Sequence, residues 1–458
     1  MSFARQAIEA MRGLAQTALP EAVATAARLH LLDAVGVGLA ASASPAGKSF
    51  GTFARDLPNG TASVFGRAQG ASPADAALVN GGLIHSLEFD DTHMASIVHG
   101  SAVLAPTALA MAEKCAVSGA RLLGAYTRGW EFLVRLGLAA PGGFQARGFQ
   151  VTSTAGVLAA AAVAAELSAL DEDQSVNAVG IALSQASGVF EFLSNGSTVK
   201  SLHPGWAAHG GVLAAALGRA GMSGPESSLE GRFGLFASFA ADRAAGDHFA
   251  ASLADLGRVW HLLEAAYKFY PCCHYLHPFI EAAGILADRG ITADRIEHLV
   301  CRIAPPAALV VCEPWETKQQ PATGHAARWS LPIVVAARLV DGRIDMRTFE
   351  QPASDAARAL AQRTRWEPLG EVHFPERFEA ELVCVTSDGA THRVRIDDVY
   401  GSANRPAVAD DVRAKFRANA ALVMTSADAA NLESAVDELD RAKDLTELTR
   451  ALRCAASG

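Results

Sequence analysis

The feature that most narrows the fold is a pair of long stretches built from alanine, glycine and aliphatic residues, Gly156 to Ala165 and Gly210 to Ala220. Small residues occupy every face, so neither stretch suits a surface helix with a single apolar stripe. Both read as helices packed closely inside a bundle. Leu29, Leu32, Val35 and Leu39 recur at helical spacing, with Gly36 and Gly38 allowing close contact. Pro20, Pro106 and Pro204 fall where helices should begin or be interrupted, and Asp171-Glu172-Asp173 suits an acidic first turn. The apolar run from Thr154 to Ala165 is 12 residues long. That is short of the roughly 20 needed to cross a bilayer, so it reads as a buried helix.

The texture changes near Ala265. Ile280–Asp288, Leu331–Leu339 and Asp355–Gln362 read as helices, and Ile296–Ile303 alternates as a strand. Glu381–Thr386 and Thr391–Ile396 are β-rich runs on either side of Ser387-Asp388-Gly389, a hairpin signal. After about Asp397 the helical pattern returns. The expectation is a mainly α protein: a large all-helical domain (1–264, resumed at 398–458) with a smaller α/β domain, 265–397, inserted. A chain of 458 residues has ample material for two or three domains.

With 50% hydrophobic and 19% charged residues, the chain is neither disordered nor a coiled coil. A net charge of −9 without any Lys/Arg-dense run argues against nucleic-acid and anionic-membrane partners. The seven cysteines (Cys115, Cys272, Cys273, Cys301, Cys312, Cys384 and Cys454) form no CxxC pair. They suit small core residues in a reduced compartment, and no signal-peptide pattern opens the chain, so a soluble cytoplasmic protein is expected. No P-loop, no strand-borne GxGxxG and no GxSxG elbow occurs, so no nucleotide cofactor is indicated.

Three segments set ionisable groups among apolar neighbours. The first runs His85-Ser-Leu-Glu-Phe-Asp-Asp-Thr-His93, then His99-Gly-Ser, with acids at Glu88, Asp90 and Asp91. Histidine and carboxylate are the usual general acid–base pair. Helix capping by Asp91 or Thr92 and a divalent metal site are the alternatives, the latter without any recognised ligand spacing. The second is Lys200-Ser-Leu-His203-Pro-Gly-Trp206-Ala-Ala-His209. Its lysine is either a carboxylate-binding cation or a solvated loop residue ahead of a Pro-Gly turn. The third, Lys268-Phe-Tyr270-Pro-Cys-Cys-His274-Tyr-Leu-His277, lies at the expected domain junction, where its rings either line a pocket or pack the junction. Cys272 and Cys273 have no local feature that would make a thiol reactive.

Taken together, the strings LHLLDAVGVGLA, VNGGLIHSLEFDDTH, TSTAGVLAAAAVAAEL, NAVGIALSQASG, VKSLHPGWAAHGGVLAAALGRAG, YKFYPCCHYLHPFIEA and WSLPIVVAARLVDG resemble, in order, the MmgE/PrpD family. That family includes 2-methylcitrate dehydratases, cis-aconitate decarboxylases and iminodisuccinate epimerases. The resemblance implies an all-helical domain with an inserted α/β lid, a homodimer, and no metal, flavin or nucleotide. It implies a site between domain and lid in which Asp91, His99, Lys200 and His277 are catalytic, with Asp90, His93 and His203 as weaker matches. Gln150, Trp206, Tyr270 and His274 complete the expected substrate-binding set. Asp91 or His99 would be the base, His277 the acid, and Lys200 the cation that neutralises a carboxylate or enolate-like oxygen.

The reaction expected first is dehydration of a small hydroxy-polycarboxylate such as 2-methylcitrate. Epimerisation or decarboxylation of a related acid is the alternative, and a non-catalytic carboxylate binder is a third reading. Many relatives carry histidine where Gln150 stands, arginine where Trp206 stands, and phenylalanine or tyrosine where Trp329 stands. Loss of an arginine removes a bidentate carboxylate clamp and leaves room for a smaller or less charged acid.

Overall fold

A computed structural model describes residues 1–453; Cys454 lies outside them. The chain is mainly α-helical and divides into two compact units. The first comprises 1–86, 90–267 and the C-terminal part from 408. The second comprises 87–89 and 268–407. The return to the first unit therefore comes later than the texture of the sequence suggests. The tripeptide Leu87–Phe89, inside the first polar segment, belongs with the second unit.

In the first unit the alanine- and glycine-rich stretches are core helices. Gly156–Leu167 is buried at every position except Glu166, whose carboxylate bonds Arg128. Leu202–Arg219 packs on both Gly156–Leu167 and Pro73–Ser86. These approaches require glycine. A Cβ on Gly205 would stand 2.3 Å from the Leu78 carbonyl oxygen, and one on Gly211 would stand 2.4 Å from the Ala160 Cβ. Two prolines act as expected, Pro20 preceding Glu21–Ser42 and Pro204 lying in the first turn of Leu202–Arg219, whereas Pro106 lies inside the continuous helix Gly100–Cys115 and does not interrupt it. Asp171 is an N-cap whose capping box is closed by Gln174. Glu21–Ser42 is long and apolar enough to cross a membrane, but 78% of its most apolar window is buried, as in a core helix. The returning helix Ala409–Ala420 packs on it, with Lys415 Nζ 2.8 Å from Asp33 Oδ1.

The second unit is built on a four-stranded sheet in the order Thr364–Pro368, Ile296–Ile303, Ala380–Thr386, Thr391–Ile396. The hairpin is antiparallel, whereas Thr364–Pro368 pairs parallel to Ile296–Ile303. His277–Asp288 packs on the two hairpin strands, and Leu331–Asp341 packs on His277–Asp288 and Asp355–Gln362. Cys272, Cys301, Cys312 and Cys384 are buried in this core. Burial pushes the Cys312 thiol up to about 12 and that of Cys384 to about 11, so these groups are small protonated core residues.

Candidate active site

The first polar segment supplies two adjacent carboxylates with different surroundings. Asp91 Oδ2 accepts from His30 Nδ1 at 2.8 Å and from the Ser101 hydroxyl, while Oδ1 accepts the Ser101 backbone N–H at 3.2 Å. Ser101 Oγ lies 2.6 Å from the Tyr126 hydroxyl, and His30 stacks on Tyr267 at 4.1 Å. Asp91 therefore takes up a first-turn N–H of Gly100–Cys115, whose N-cap position is His99, with both oxygens engaged in a buried network. This is the capping alternative, and it leaves Asp91 poorly placed as a base.

Asp90 is arranged differently. Its Oδ2 meets His85 Nδ1 at 2.8 Å and His99 Nδ1 at 3.2 Å, and the two imidazoles meet edge to face at 4.7 Å. Burial alone would raise the Asp90 pKa, but the two histidines outweigh it and hold the carboxylate well below its usual range. Asp90 Oδ1 is buried without a hydrogen-bond partner among the described residues. His99 is the more accessible imidazole, its side chain 10% exposed. Its backbone N–H donates to Thr152 Oγ1 at 3.0 Å.

A second line of contacts leaves His85. Gln150 Nε2 lies 3.4 Å from His85 Nε2, and Gln150 Oε1 lies 2.6 Å from His203 Nδ1. The amide can donate to one ring and accept from the other, so His85 keeps its Nδ1 proton on Asp90 and His203 keeps its own on Gln150. Val151–Thr154 braces the His203 end of this line and the neighbouring His99, because Thr152 Oγ1 accepts the His99 N–H and Ser153 Oγ donates to the His203 carbonyl. Burial, His85 and Lys200 bring the His203 pKa down to about 4. Lys200 itself is buried, on the 3-10 turn Thr198–Ser201 that leads into Leu202–Arg219. Asp90, His99, Gln150, His203 and Lys200 thus share one region of the first unit, with His85 between them.

Two expected residues face elsewhere. His93 bonds Ser96 and Glu264, not Asp90, and Trp206 is 40% exposed, stacked on His209. In the second unit, Tyr270 and His277 line a cavity of about 190 Å³ with Glu281, Tyr400 and Arg405. His274 packs edge to face on His277 at 4.7 Å. Nearby in sequence, Lys268 Nζ donates to the Glu88 carbonyl at 3.2 Å, and Arg328 donates to the carbonyls of Leu87 and Pro271. Glu88 is held there in a left-handed conformation, φ +53°.

The sequence reading placed His85 in the first polar segment without giving it a role, and did not select His30 or Thr152. His85, five residues ahead of Asp90 on an apolar helix, carried the clearest signal. Ligand spacing along the chain suggested no metal, yet the fold gathers His85, Asp90 and His99, and separately His93, His261 and Glu264, with donor atoms within 4.8 Å.

The chain matches the MmgE/PrpD N-terminal domain over residues 7–246 and the MmgE/PrpD C-terminal domain over residues 270–441. It is 30% identical to the cis-aconitate decarboxylase-like protein oryM of Aspergillus oryzae, over 94% of this chain and 93% of that protein. It is 29% identical to the cis-aconitate decarboxylase of Mus musculus over 97% and 92%, and 31% identical to that of Homo sapiens over 83% and 79%. Two family domains in order, together with relatives matched along most of their length, establish that the chain belongs to the MmgE/PrpD family.

Proposed function

We propose that the chain is a carboxy-lyase acting on an unsaturated polycarboxylate of the cis-aconitate class. The names of the relatives support decarboxylation, the alternative raised by the sequence, better than dehydration of a 2-methylcitrate-like acid. The observation that carries the reading is His99, the accessible imidazole held on the buried anionic carboxylate of Asp90. In decarboxylation the bond to the departing carboxylate carbon breaks and its electron pair passes into the conjugated system left behind. Carbon dioxide departs, and a proton delivered to carbon completes the product. His99 would hold that proton, Asp90 would orient the ring and stabilise its imidazolium form, and Lys200 would meet a carboxylate of the substrate. Decarboxylation removes no proton from the substrate, so the base's role first divided between Asp91 and His99 drops out and His99 acts as the acid. The acid's role expected of His277 thus passes to His99, and the homodimer implied by the resemblance is retained and tested by sedimentation.

Proton NMR in D₂O with cis-aconitate should show loss of a carboxylate and a displaced double bond. Asp90→Asn, which preserves shape but removes the charge, should lower kcat by about 10²–10⁴-fold. Lys200→Met should raise KM. New vinyl signals from 2-methylcitrate with silence from cis-aconitate would reverse the choice of reaction. Unchanged kcat in Asp90→Asn would remove the His99–Asp90 pair from it.

A further inference from the structure

The second cluster, His93, His261 and Glu264, lies in the first unit among groups the proposed chemistry does not use. Glu264 Oε2 stands 2.8 Å from His261 Nδ1 and 3.1 Å from His93 Nε2, and all three donor atoms fall within 4.8 Å of one another. Two imidazoles and a carboxylate at such separations are a ligand set for a first-row divalent ion. Bonds of about 2.0–2.2 Å to a tetrahedral centre need only a small outward adjustment of these donors. The geometry points to a divalent transition-metal site at His93, His261 and Glu264, of the kind that takes Zn²⁺ or Co²⁺.

The surroundings favour a built site over a chance hydrogen-bonded cluster. His93 Nδ1 accepts the Ser96 backbone N–H at 3.3 Å and lies 2.8 Å from Ser96 Oγ, so Ser96 fixes the ring with Nε2 turned toward Glu264. The turn His261–Glu264 is fixed from beneath by Glu131, whose carboxylate accepts the backbone N–H groups of His261 and Leu262, each at 3.1 Å. Glu131 is itself buried and paired with Arg135, which also bonds Asp255 and the Val259 carbonyl. Access comes through Glu264, whose side chain is 48% exposed, so solvent can fill the remaining coordination position.

The ion would be structural. Thr92 pairs with Ala266 and His93 with Ala265 in a two-residue antiparallel ladder, and one ligand on the first strand with two on the turn leading into the second would clamp it. That ladder follows directly on Asp90 and Asp91, so the ion would secure the segment that presents them.

The test is titration of the chelator-stripped full chain with Co²⁺, read by visible absorption and equilibrium dialysis, with melting temperature followed in parallel. One ion per chain, four-coordinate absorption and a raised Tm are expected. Glu264→Gln and His261→Ala, both on side chains that reach solvent, should each weaken binding at least tenfold and abolish the Tm gain, while Ser96→Ala should weaken it less. Absence of Co²⁺ and Zn²⁺ binding at millimolar concentration would overturn the site. Binding undiminished in Glu264→Gln and His261→Ala, which would move the ion elsewhere, would overturn it equally.

Discussion

His203 illustrates how one residue can tie pH to stability. Its imidazole is buried beside His85 and Lys200, and its pKa falls from 6.5 to about 4. Between those values the unfolded chain binds a proton that the folded chain refuses, so folding loses stability as pH falls. The stability is fully present above pH 6.5 and is lost progressively as pH drops through about 4. A shift of this size corresponds to up to about 3 kcal/mol. His203→Gln removes the titration while keeping an amide that can face Gln150. Urea unfolding at a series of pH values should show the wild type losing stability relative to this variant below pH 6.5, and parallel curves would refute the assignment. Asp91 carries the complementary lesson. A carboxylate beside histidines in sequence reads as a base, but the partners that occupy it, His30 and Ser101, sit on other helices and are set only by packing.

At the scale of elements, glycine contacts between helices decide where the site residues stand. Leu202–Arg219 carries His203, Pro73–Ser86 carries His85, and the two cross where Gly205 meets Leu78 and Gly82. A methyl group on Gly205 meets backbone 2.3 Å away, so the helices must part. Gly205→Ala should cost about 1–3 kcal/mol and loosen the His85–Gln150–His203 line. At Gly51, in Lys48–Arg55, an added methyl group would have nothing within 4 Å, so Gly51→Ala should be neutral or stabilise by up to about 1 kcal/mol. Thermal melts and kcat of the pair separate crowding from a general intolerance of glycine loss, and equal Tm changes would contradict the account. Crossings of this kind were readable from the alanine and glycine stretches, and the hairpin strands from their alternation and the intervening Ser-Asp-Gly. Thr364–Pro368 was not: Thr-Arg-Trp-Glu-Pro does not alternate, and its pairing is parallel to a distant strand. Nor could spacing along the chain join His93 to His261 and Glu264, which are brought together only by the two-residue ladder.

For the whole molecule, the central question is how a unit interrupted by 268–407 closes on itself. The returning helix Ala409–Ala420 docks on Glu21–Ser42 through Phe416, whose ring lies 2.9 Å from where a Gly36 Cβ would stand, and through the buried Asp33–Lys415 pair. Burial pushes Asp33 up to about 6 even with the lysine beside it, and the same burial lowers Lys415. Such a pair adds little net stability over an apolar contact of the same shape, yet removing one partner strands the other. Lys415→Met should therefore cost about 3–5 kcal/mol at pH 8. The loss should shrink toward pH 5: without the lysine the Asp33 pKa rises further, and the folded state takes up a proton that relieves the buried charge. Asp33→Leu combined with Lys415→Met should recover most of the loss and flatten its pH dependence. If the single variant were equally destabilised at both pH values, the cost would lie in packing around Phe416 and not in the charge, and the C-terminal return would be held by shape alone.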